Sequence, residues 1–194
     1  DDCLVPDIES SSKLWDFGPQ VYEEQKFGDA VTASWAVKQI EKKHSRPFFL
    51  ATGFYRPHVP FYAPQRFFDS HPLGKVHTPD VKQDDCDDLP PAALALTDHT
   101  VPPSHAWFVE KKQWKPAVQA YLASVSFTDA QVGRLLDALD RSPNAHNTIV
   151  VLFSDHGFHL GEKQRWAKQS LWERSTRVPL IISVPHGLQG KVCK

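Results

Sequence analysis

A short segment rich in acid and imidazole groups, residues 154–162, carries the clearest chemistry of the chain. It reads Ser-Asp-His-Gly-Phe-His-Leu-Gly-Glu and follows an apolar run, 148–153, that predicts a buried strand. Ligands of open α/β sheets bind just beyond the carboxyl ends of the strands. Asp155 and His156 stand at that point, and together they offer a divalent cation one oxygen and one nitrogen ligand. The pattern indicates a metal site; the alternative is an ordinary turn in which Asp155 caps backbone amides.

A second polar group follows another apolar run, 48–54, in the sequence Gly-Phe-Tyr-Arg-Pro-His-Val-Pro-Phe. Two prolines, Pro57 and Pro60, bracket His58 and stiffen its backbone. A rigid imidazole suits hydrogen bonding to an anion or proton transfer, although it could equally satisfy loop carbonyls. If 48–54 and 148–153 are neighbouring strands, both polar groups lie at the same edge of the sheet.

A cationic segment, Gln-Arg-Trp-Ala-Lys, supplies the third candidate group. Its Lys168 is a compact positive charge that could meet an oxyanion such as sulfate or phosphate. Arg56, His159 and Trp166 are candidate substrate-binding residues. A packing role for Trp166 and a solvent-exposed position for His159 are the alternatives.

The elements that must position these groups alternate between helix and strand, which is typical of an α/β domain with a largely parallel sheet flanked by helices. Helical periodicity is clearest over residues 115–140, and a second helix is predicted over 25–44. Strands are predicted at 48–54, 148–153 and 178–184. One domain is expected over 1–194, with an irregular lead-in over 1–24 and a long loop region over 55–108.

Composition narrows the possible functions. The chain has 194 residues, 41% hydrophobic and 23% charged, with a net charge of −1, so neither a nucleic-acid surface nor membrane insertion is expected. It contains no methionine, which suggests a piece of a longer protein. The three cysteines, Cys3, Cys86 and Cys193, lack the paired spacing of a zinc site.

Several motifs in register give the chain a resemblance to a known family, the type I sulfatases of the alkaline phosphatase superfamily. These motifs are the 154–162 segment, Trp-Ala-Lys at 166–168, Arg-Val-Pro-Leu-Ile at 177–181 and the His58 segment. The likeness extends over residues 25–185 and is greatest to the iduronate-2-sulfatase branch. It implies a partial domain with an alkaline-phosphatase-like fold.

The resemblance also implies roles for individual residues. Asp155 and His156 would be ligands of a calcium ion, His58 would contact the sulfate ester and assist proton movement, and Lys168 would bind a sulfate oxygen. The nucleophile of the family is a formylglycine made from Cys or Ser followed by x-Pro-x-Arg. No cysteine or serine of the chain fits that motif, so the formylglycine is expected outside it, and the chain alone is expected to be inactive.

The function expected from these observations is hydrolysis of a sulfuric ester on a sulfated glycan, of the iduronate-2-sulfate type. The resemblance implies a periplasmic, secreted or lysosomal location. A phosphate or phosphonate ester hydrolase of the same superfamily and a non-catalytic protein that binds sulfated glycans are the alternatives. A zinc hydrolase that uses His156, His159 and Glu162 is a further alternative, although their spacing differs from that of the helical zinc proteases.

Overall fold

The longest helix organises the fold. A computed structural model describes residues 4–97, 101–187 and 190–192. Helix α5, Trp114–Asp140, matches the predicted helix at 115–140, and its buried side chains recur at helical spacing on one face. Helix α1, Gly28–Ile40, packs along α5 through alanines that are almost fully buried. Small side chains at this interface let the two helix axes approach closely.

The remaining elements are short and surround this helix pair. In chain order the strands and α-helices are β1 Phe17–Gln20, α1, β2 Phe61–Pro64, α2 Gln65–Asp69, α3 Pro91–Thr97, α4 His105–Glu110, α5, β3 Val150–Phe153, β4 His159–Leu160, β5 Trp166–Ala167, α6 Glu173–Thr176 and β6 Leu180–Ser183. Among the described residues, single turns of 3₁₀ helix lie at Glu24–Lys26 and Leu73–Lys75, and a turn with positive φ at Lys163 and Gln164 lies at Glu162–Gln164.

Three two-stranded ladders form among the described residues, and one of them is parallel. Strands β1 and β2 pair in parallel, with Phe17 opposite Phe61. The β3–β6 and β4–β5 pairs are antiparallel. The α/β class is therefore present, but the largely parallel sheet that the sequence predicts is represented by a single parallel pair within the described residues.

The strand predicted at 48–54 is not formed among the described residues. The segment is extended and its residues alternate between half-buried and exposed, but it is not part of any ladder among the described residues. Phe49 is 93% exposed, whereas Leu50 packs against a small cluster formed by Ile40, Ala138 and Leu139. An apolar run shows that a segment suits a strand, but a strand also needs a hydrogen-bonded neighbour.

The strands predicted at 148–153 and 178–184 are present as β3 and β6, but they are not buried. Phe153 is 68% exposed and Leu180 is 63% exposed. An apolar surface of this kind is typical of a face that packs against further protein.

Two segments expected to be irregular contain regular elements. The lead-in 1–24 holds β1, and the 55–108 region holds β2, α2, α3 and the start of α4. Both β1 and β2 carry glycine or proline, which conceals them from a search for strand patterns. Helix α4 is capped by Ser104, whose Oγ accepts a hydrogen bond from Trp107 N at 3.1 Å.

An aromatic core lies between α5, the β1–β2 pair and the β4–β5 hairpin. Phe61, Phe108 and Phe127 are fully buried, and Trp166 stacks on Phe108 with ring centroids 3.8 Å apart. Each buried ring contributes about 1.5–3 kcal/mol of apolar burial. This packing fixes the β4–β5 hairpin, which leads directly into Lys168.

A second cluster aligns the two segments that precede the predicted site. Leu50 and Val150 both pack against one cluster, formed by Ile40 at the end of α1 with Ala138 and Leu139 near the end of α5. Segment 48–54 and strand β3 therefore start from the same place and continue toward the same end of the molecule. No helix among the described residues combines the length and apolar character that a membrane span requires.

Candidate functional site

The residues predicted to do chemistry lie around one cavity of about 300 Å³. Asp155 and His156 line it from the turn after β3, His58 lines it from the loop before β2, and Lys168 lines it from the segment after β5. Arg56 is also part of its wall. Three segments are therefore brought together at one cavity, even though 48–54 is not a paired strand.

The Asp155–His156 turn is held by a compact set of backbone contacts. The His156 N–H donates to Asp155 Oδ1 at 3.0 Å, and the Ser154 hydroxyl donates to the His156 carbonyl at 2.8 Å. Gly157 N donates to the Ser175 carbonyl of α6 at 2.8 Å. A Cβ at Gly157 would lie 2.0 Å from the Arg174 carbonyl oxygen, so the close approach of the turn to α6 requires glycine.

The two side chains of this turn place one oxygen donor and one nitrogen donor close together. His156 Nδ1 lies 2.8 Å from the Gly157 carbonyl, which can only accept, so Nδ1 carries the proton and the lone pair is on Nε2. That Nε2 lies 3.7 Å from Asp155 Oδ2. Metal-binding histidines commonly donate their other ring N–H to a carbonyl in this way.

The donor set fits part of a divalent cation site. Among the described residues no group of three or more His, Cys, Asp or Glu side chains could hold a metal ion. Asp155 is mostly exposed, so its carboxylate is accessible to a cation. Asp155 and His156 thus offer two ligands, and the other ligands of such a cation would have to come from elsewhere.

The His58 ring is fixed on one side and open on the other. Its Nδ1 donates to the Val59 carbonyl at 2.8 Å, and the ring packs against Tyr55 with centroids 4.7 Å apart. Burial lowers the pKa of His58, the hydrogen bond to the Val59 carbonyl opposes this effect, and the positive charges of Lys168 and Arg56 lower the pKa further. The neutral ring therefore presents the Nε2 lone pair as its free functional atom.

The Lys168 ammonium faces the same space from the opposite segment. Burial lowers its pKa, an effect that the nearby Asp155 carboxylate opposes. The Lys168 carbonyl accepts a hydrogen bond from the Ser175 hydroxyl at 2.9 Å, which ties its backbone to α6. The preceding Ala167 has a φ of 71°, a left-handed conformation uncommon for alanine. The lysine is held in a defined place by its surroundings.

The predicted substrate contacts His159 and Trp166 lie in the core instead. Their exposed fractions are 0% and 1%, and neither lines the cavity. His159 Nδ1 donates to the Ala167 carbonyl at 3.2 Å, and the Trp166 indole N–H donates to His105 Nδ1 at 3.4 Å. Burial of this extent excludes direct contact with a substrate. Both residues instead support the hairpin that leads into Lys168.

Burial strongly affects the titration of His159. It lowers the pKa of the ring to about 4, and the positive charge of Arg165 lowers it as well. The His159 Nε2 atom is buried without a hydrogen-bond partner among the described residues.

The zinc alternative has no support in this geometry. Glu162 Oε2 accepts the Leu160 N–H at 2.8 Å, and its Oε1 lies 3.2 Å from Arg174 Nε. With His159 buried in the core, His156, His159 and Glu162 do not form a metal-binding group among the described residues.

Two residues near the cavity escape sequence reasoning. Tyr121 of α5 lines the wall, but in the sequence it is one member of an apolar helical stripe. Asp29 in the first turn of α1 binds the backbone of the His58 segment, and no motif signals that contact. Only the folded arrangement shows their positions.

Comparisons with known proteins identify relatives of this chain. The family model described as Sulfatase matches residues 8–192. A sulfatase of Formosa agariphila is 48% identical over 163 residues, which cover 84% of this chain and 32% of that protein. The human iduronate 2-sulfatase is 38% identical over 174 residues, which cover 81% of this chain and 30% of that protein. The chain thus spans about a third of the length of these relatives.

A solved structure supports the fold. The phosphonate monoester hydrolase of Agrobacterium radiobacter superposes with a TM-score of 0.72 at 20% identity, covering 94% of this chain and 39% of that protein. The likeness shows an alkaline-phosphatase-like α/β fold, of which this chain is a part.

Proposed function

The chain belongs to the sulfatase family, and from that premise we propose that the protein containing it hydrolyses sulfate esters. The observation that carries the proposal is the convergence of His58, Asp155, His156 and Lys168 on one cavity. A tetrahedral oxyanion ester needs a cation and fixed positive donors close together, because charge builds on its oxygens as the ester bond breaks.

Lys168 provides the fixed positive donor. Its ammonium hydrogen-bonds a sulfuryl oxygen and offsets the charge that develops there, and partial burial strengthens this interaction relative to water. Asp155 and His156 would hold a divalent cation, which we propose to be calcium in line with the family resemblance. When bound, that cation supplies further charge stabilisation to the sulfuryl oxygens.

His58 binds and releases a proton at Nε2. In the free protein its lowered pKa keeps the ring neutral. A bound sulfate ester brings a negative charge to the ring and raises that pKa, because the charged imidazolium is then stabilised. The protonated Nε2 can donate to the departing ester oxygen, which is the step a poor leaving group requires.

The nucleophile is proposed to lie elsewhere in the longer protein. No Cys or Ser of this chain is followed by x-Pro-x-Arg, so a formylglycine would come from another segment, and its hydrated form supplies the attacking oxygen when present. The sulfate ester under attack would be bound among the cavity residues His58, Asp155, His156 and Lys168.

The proposed substrate is a sulfated sugar of the iduronate-2-sulfate type. The support is the 38% identity to human iduronate 2-sulfatase together with Arg56, a cavity-lining residue whose positive charge suits an anionic sugar group. Arg56 Nε donates to the Tyr62 carbonyl at 3.0 Å, which holds the side chain in place.

The test uses the full-length protein that contains this chain. Hydrolysis of a 2-O-sulfated iduronate disaccharide is compared with hydrolysis of paired aryl sulfates and aryl phosphates. The proposal predicts sulfate release that exceeds phosphate release and is lost in Lys168→Ala but kept in the matched surface variant Lys75→Ala. Faster phosphate release would favour the phosphate or phosphonate ester hydrolase. Binding of the disaccharide with no hydrolysis of any ester would favour a non-catalytic protein that binds sulfated glycans.

A further inference from the structure

We propose that Asp29 is a positioning residue that sets the location of His58. The inference rests on the proposed function, because it concerns the proton that His58 holds. Asp29 lies in the first turn of α1, outside the cavity wall, and it acts on the site through the backbone of the Tyr55–His58 segment.

The contact is a carboxylate shared between two consecutive amides. Asp29 Oδ1 accepts from Tyr55 N at 2.7 Å, and Oδ2 accepts from Arg56 N at 3.0 Å. Asp29 is 7% exposed, so these bonds are largely shielded from water. Hydrogen bonds from N–H groups to a carboxylate are stronger than neutral ones, and a negative charge in the first turn of a helix is favourable.

Tyr55 passes this constraint to the histidine. The Tyr55 carbonyl accepts the His58 N–H at 3.0 Å, which closes the turn. The Tyr55 hydroxyl donates to the Val59 carbonyl at 3.0 Å, the same oxygen that receives His58 Nδ1–H at 2.8 Å. The two rings are also in contact. A shift of the Tyr55 backbone therefore moves the partner that orients the His58 ring.

Helix α5 holds the other side of the segment. Thr128 Oγ1 lies 3.1 Å from the Arg56 carbonyl and 3.1 Å from the Ser124 carbonyl, so its one hydroxyl hydrogen is shared between them. Arg56 is therefore bound by α1 through its N–H and by α5 through its carbonyl. The α1–α5 packing then fixes the distance between the two anchors.

The geometry requires a carboxylate at position 29. Two amide donors point at one side chain, and an aspartate offers two acceptor oxygens to them. An asparagine offers one acceptor, and its NH₂ would face a backbone N–H. Asp29→Asn keeps the size of the side chain while leaving one of the two amides unpaired or pushed away.

The chain contains a matched control. Asp16 is also buried, at 1% exposure, and its two oxygens accept the consecutive amides of Leu4 and Val5 at 2.9 Å each. It does not line the cavity. Asp16 Oδ1 also accepts the Phe17 N–H at 2.9 Å, and Oδ2 accepts the Tyr62 hydroxyl. Asp16→Asn therefore alters a buried double acceptor whose amide donors are Leu4, Val5 and Phe17 rather than Tyr55 and Arg56.

The experiment measures kcat of the full-length protein on a series of substituted phenyl sulfates whose leaving groups differ in basicity. Asp29→Asn should lower kcat by about 10- to 100-fold for the poorest leaving group and much less for the best, because a displaced proton donor matters most when the leaving oxygen is basic. Asp16→Asn should lower kcat uniformly or leave it unchanged. In a His58→Ala background, Asp29→Asn should add little further loss.

A second readout does not depend on turnover. Amide hydrogen exchange of a peptide that spans Tyr55 and Arg56 should speed up in Asp29→Asn and stay at the wild-type rate in Asp16→Asn. If Asp29→Asn does not fold, Thr128→Val tests the other anchor with the same leaving-group series. A uniform loss across the series, or an undiminished effect in the His58→Ala background, would overturn the inference. Wild-type protein that hydrolyses no sulfate ester would instead overturn the proposed function.

Discussion

Acid should destabilise the protein in part through one fully buried side chain, His159. The ring is fully buried, and its pKa is lowered to about 4 from the ordinary 6.5, chiefly by burial. An unfolded chain exposes the ring and binds its proton near pH 6.5, whereas the folded chain resists protonation until about pH 4. The stability that neutral His159 contributes is therefore complete above about pH 6.5 and is lost as the pH falls toward about 4.

The size of the effect follows from the two pKa values. A tenfold difference in proton affinity is worth about 1.4 kcal/mol, so the fall from 6.5 to about 4 corresponds to about 3 kcal/mol. That is a large share of the stability of an ordinary domain, which is about 5–15 kcal/mol. Activity should be lost with the fold in this range, because His159 supports the Ala167 carbonyl directly before Lys168.

The assay is urea unfolding of the full-length protein at about pH 7 and about pH 4.5, followed by tryptophan fluorescence. His159→Asn is the informative variant, because its side-chain NH₂ can replace the Nδ1–H donor and does not titrate in this range. The variant starts from a lower stability, since it loses ring packing, but its free energy of unfolding should fall less between the two pH values. The same substitution at the exposed His77 should leave the wild-type fall in place. An equal fall in wild type and His159→Asn would refute the reasoning.

Two further predictions concern the cavity and its supporting turn. Lys168→Ala should lower kcat for sulfate esters by about 100-fold or more. Lys168→Arg should recover only part of the lost activity, because guanidinium and ammonium place their donors differently. Steady-state kinetics measures both effects, and full activity in the alanine variant would contradict the prediction. Gly157→Ala should destabilise the protein and remove activity, since a Cβ there would lie 2.0 Å from the Arg174 carbonyl oxygen. At Gly133 in α5 a Cβ meets nothing within 4 Å, so Gly133→Ala should keep or raise the melting temperature. Equal melting temperatures for the two variants would contradict the tight fit of the turn.

The helices could be predicted from sequence because their signal is local. Helix α5 falls within one residue of its predicted start, but the predicted apolar stripe is not its buried face. Val125 and Leu136 of that stripe are 40% and 41% exposed, whereas small and polar residues such as Ala123 are buried. The first helix begins later and ends earlier than predicted, at Gly28–Ile40. Periodicity continues past the point where the backbone leaves the helix, so helix ends are less certain than helix positions.

The strands were harder because pairing is not local. The run at 48–54 has the composition of a strand yet is unpaired among the described residues, and β1 and β2 are paired despite their glycine and prolines. A sequence pattern reports how a side chain suits a strand but not which backbone stands opposite. Exposed faces at Phe49 and Phe153 show the same limit, since apolar character alone predicted burial for both.

The residues of the candidate site could also be predicted only in part. His58, Asp155, His156 and Lys168 were identifiable because strongly functional side chains stood in stiff or glycine-bearing segments, and the structure gathers them at one cavity. His159 and Trp166 have equally suggestive chemistry but are core residues. Asp29 gave no signal at all, because its partners are backbone amides 26 and 27 residues away.

A crystal structure of the full-length protein with a divalent cation and a sulfated sugar bound tests the central claim most directly. We expect Asp155 and His156 to be among the ligands of the cation, and the sulfate group to lie within hydrogen-bond distance of the Lys168 and His58 side chains. A cation held by other residues, with the sulfate group bound away from Lys168 and His58, would contradict it.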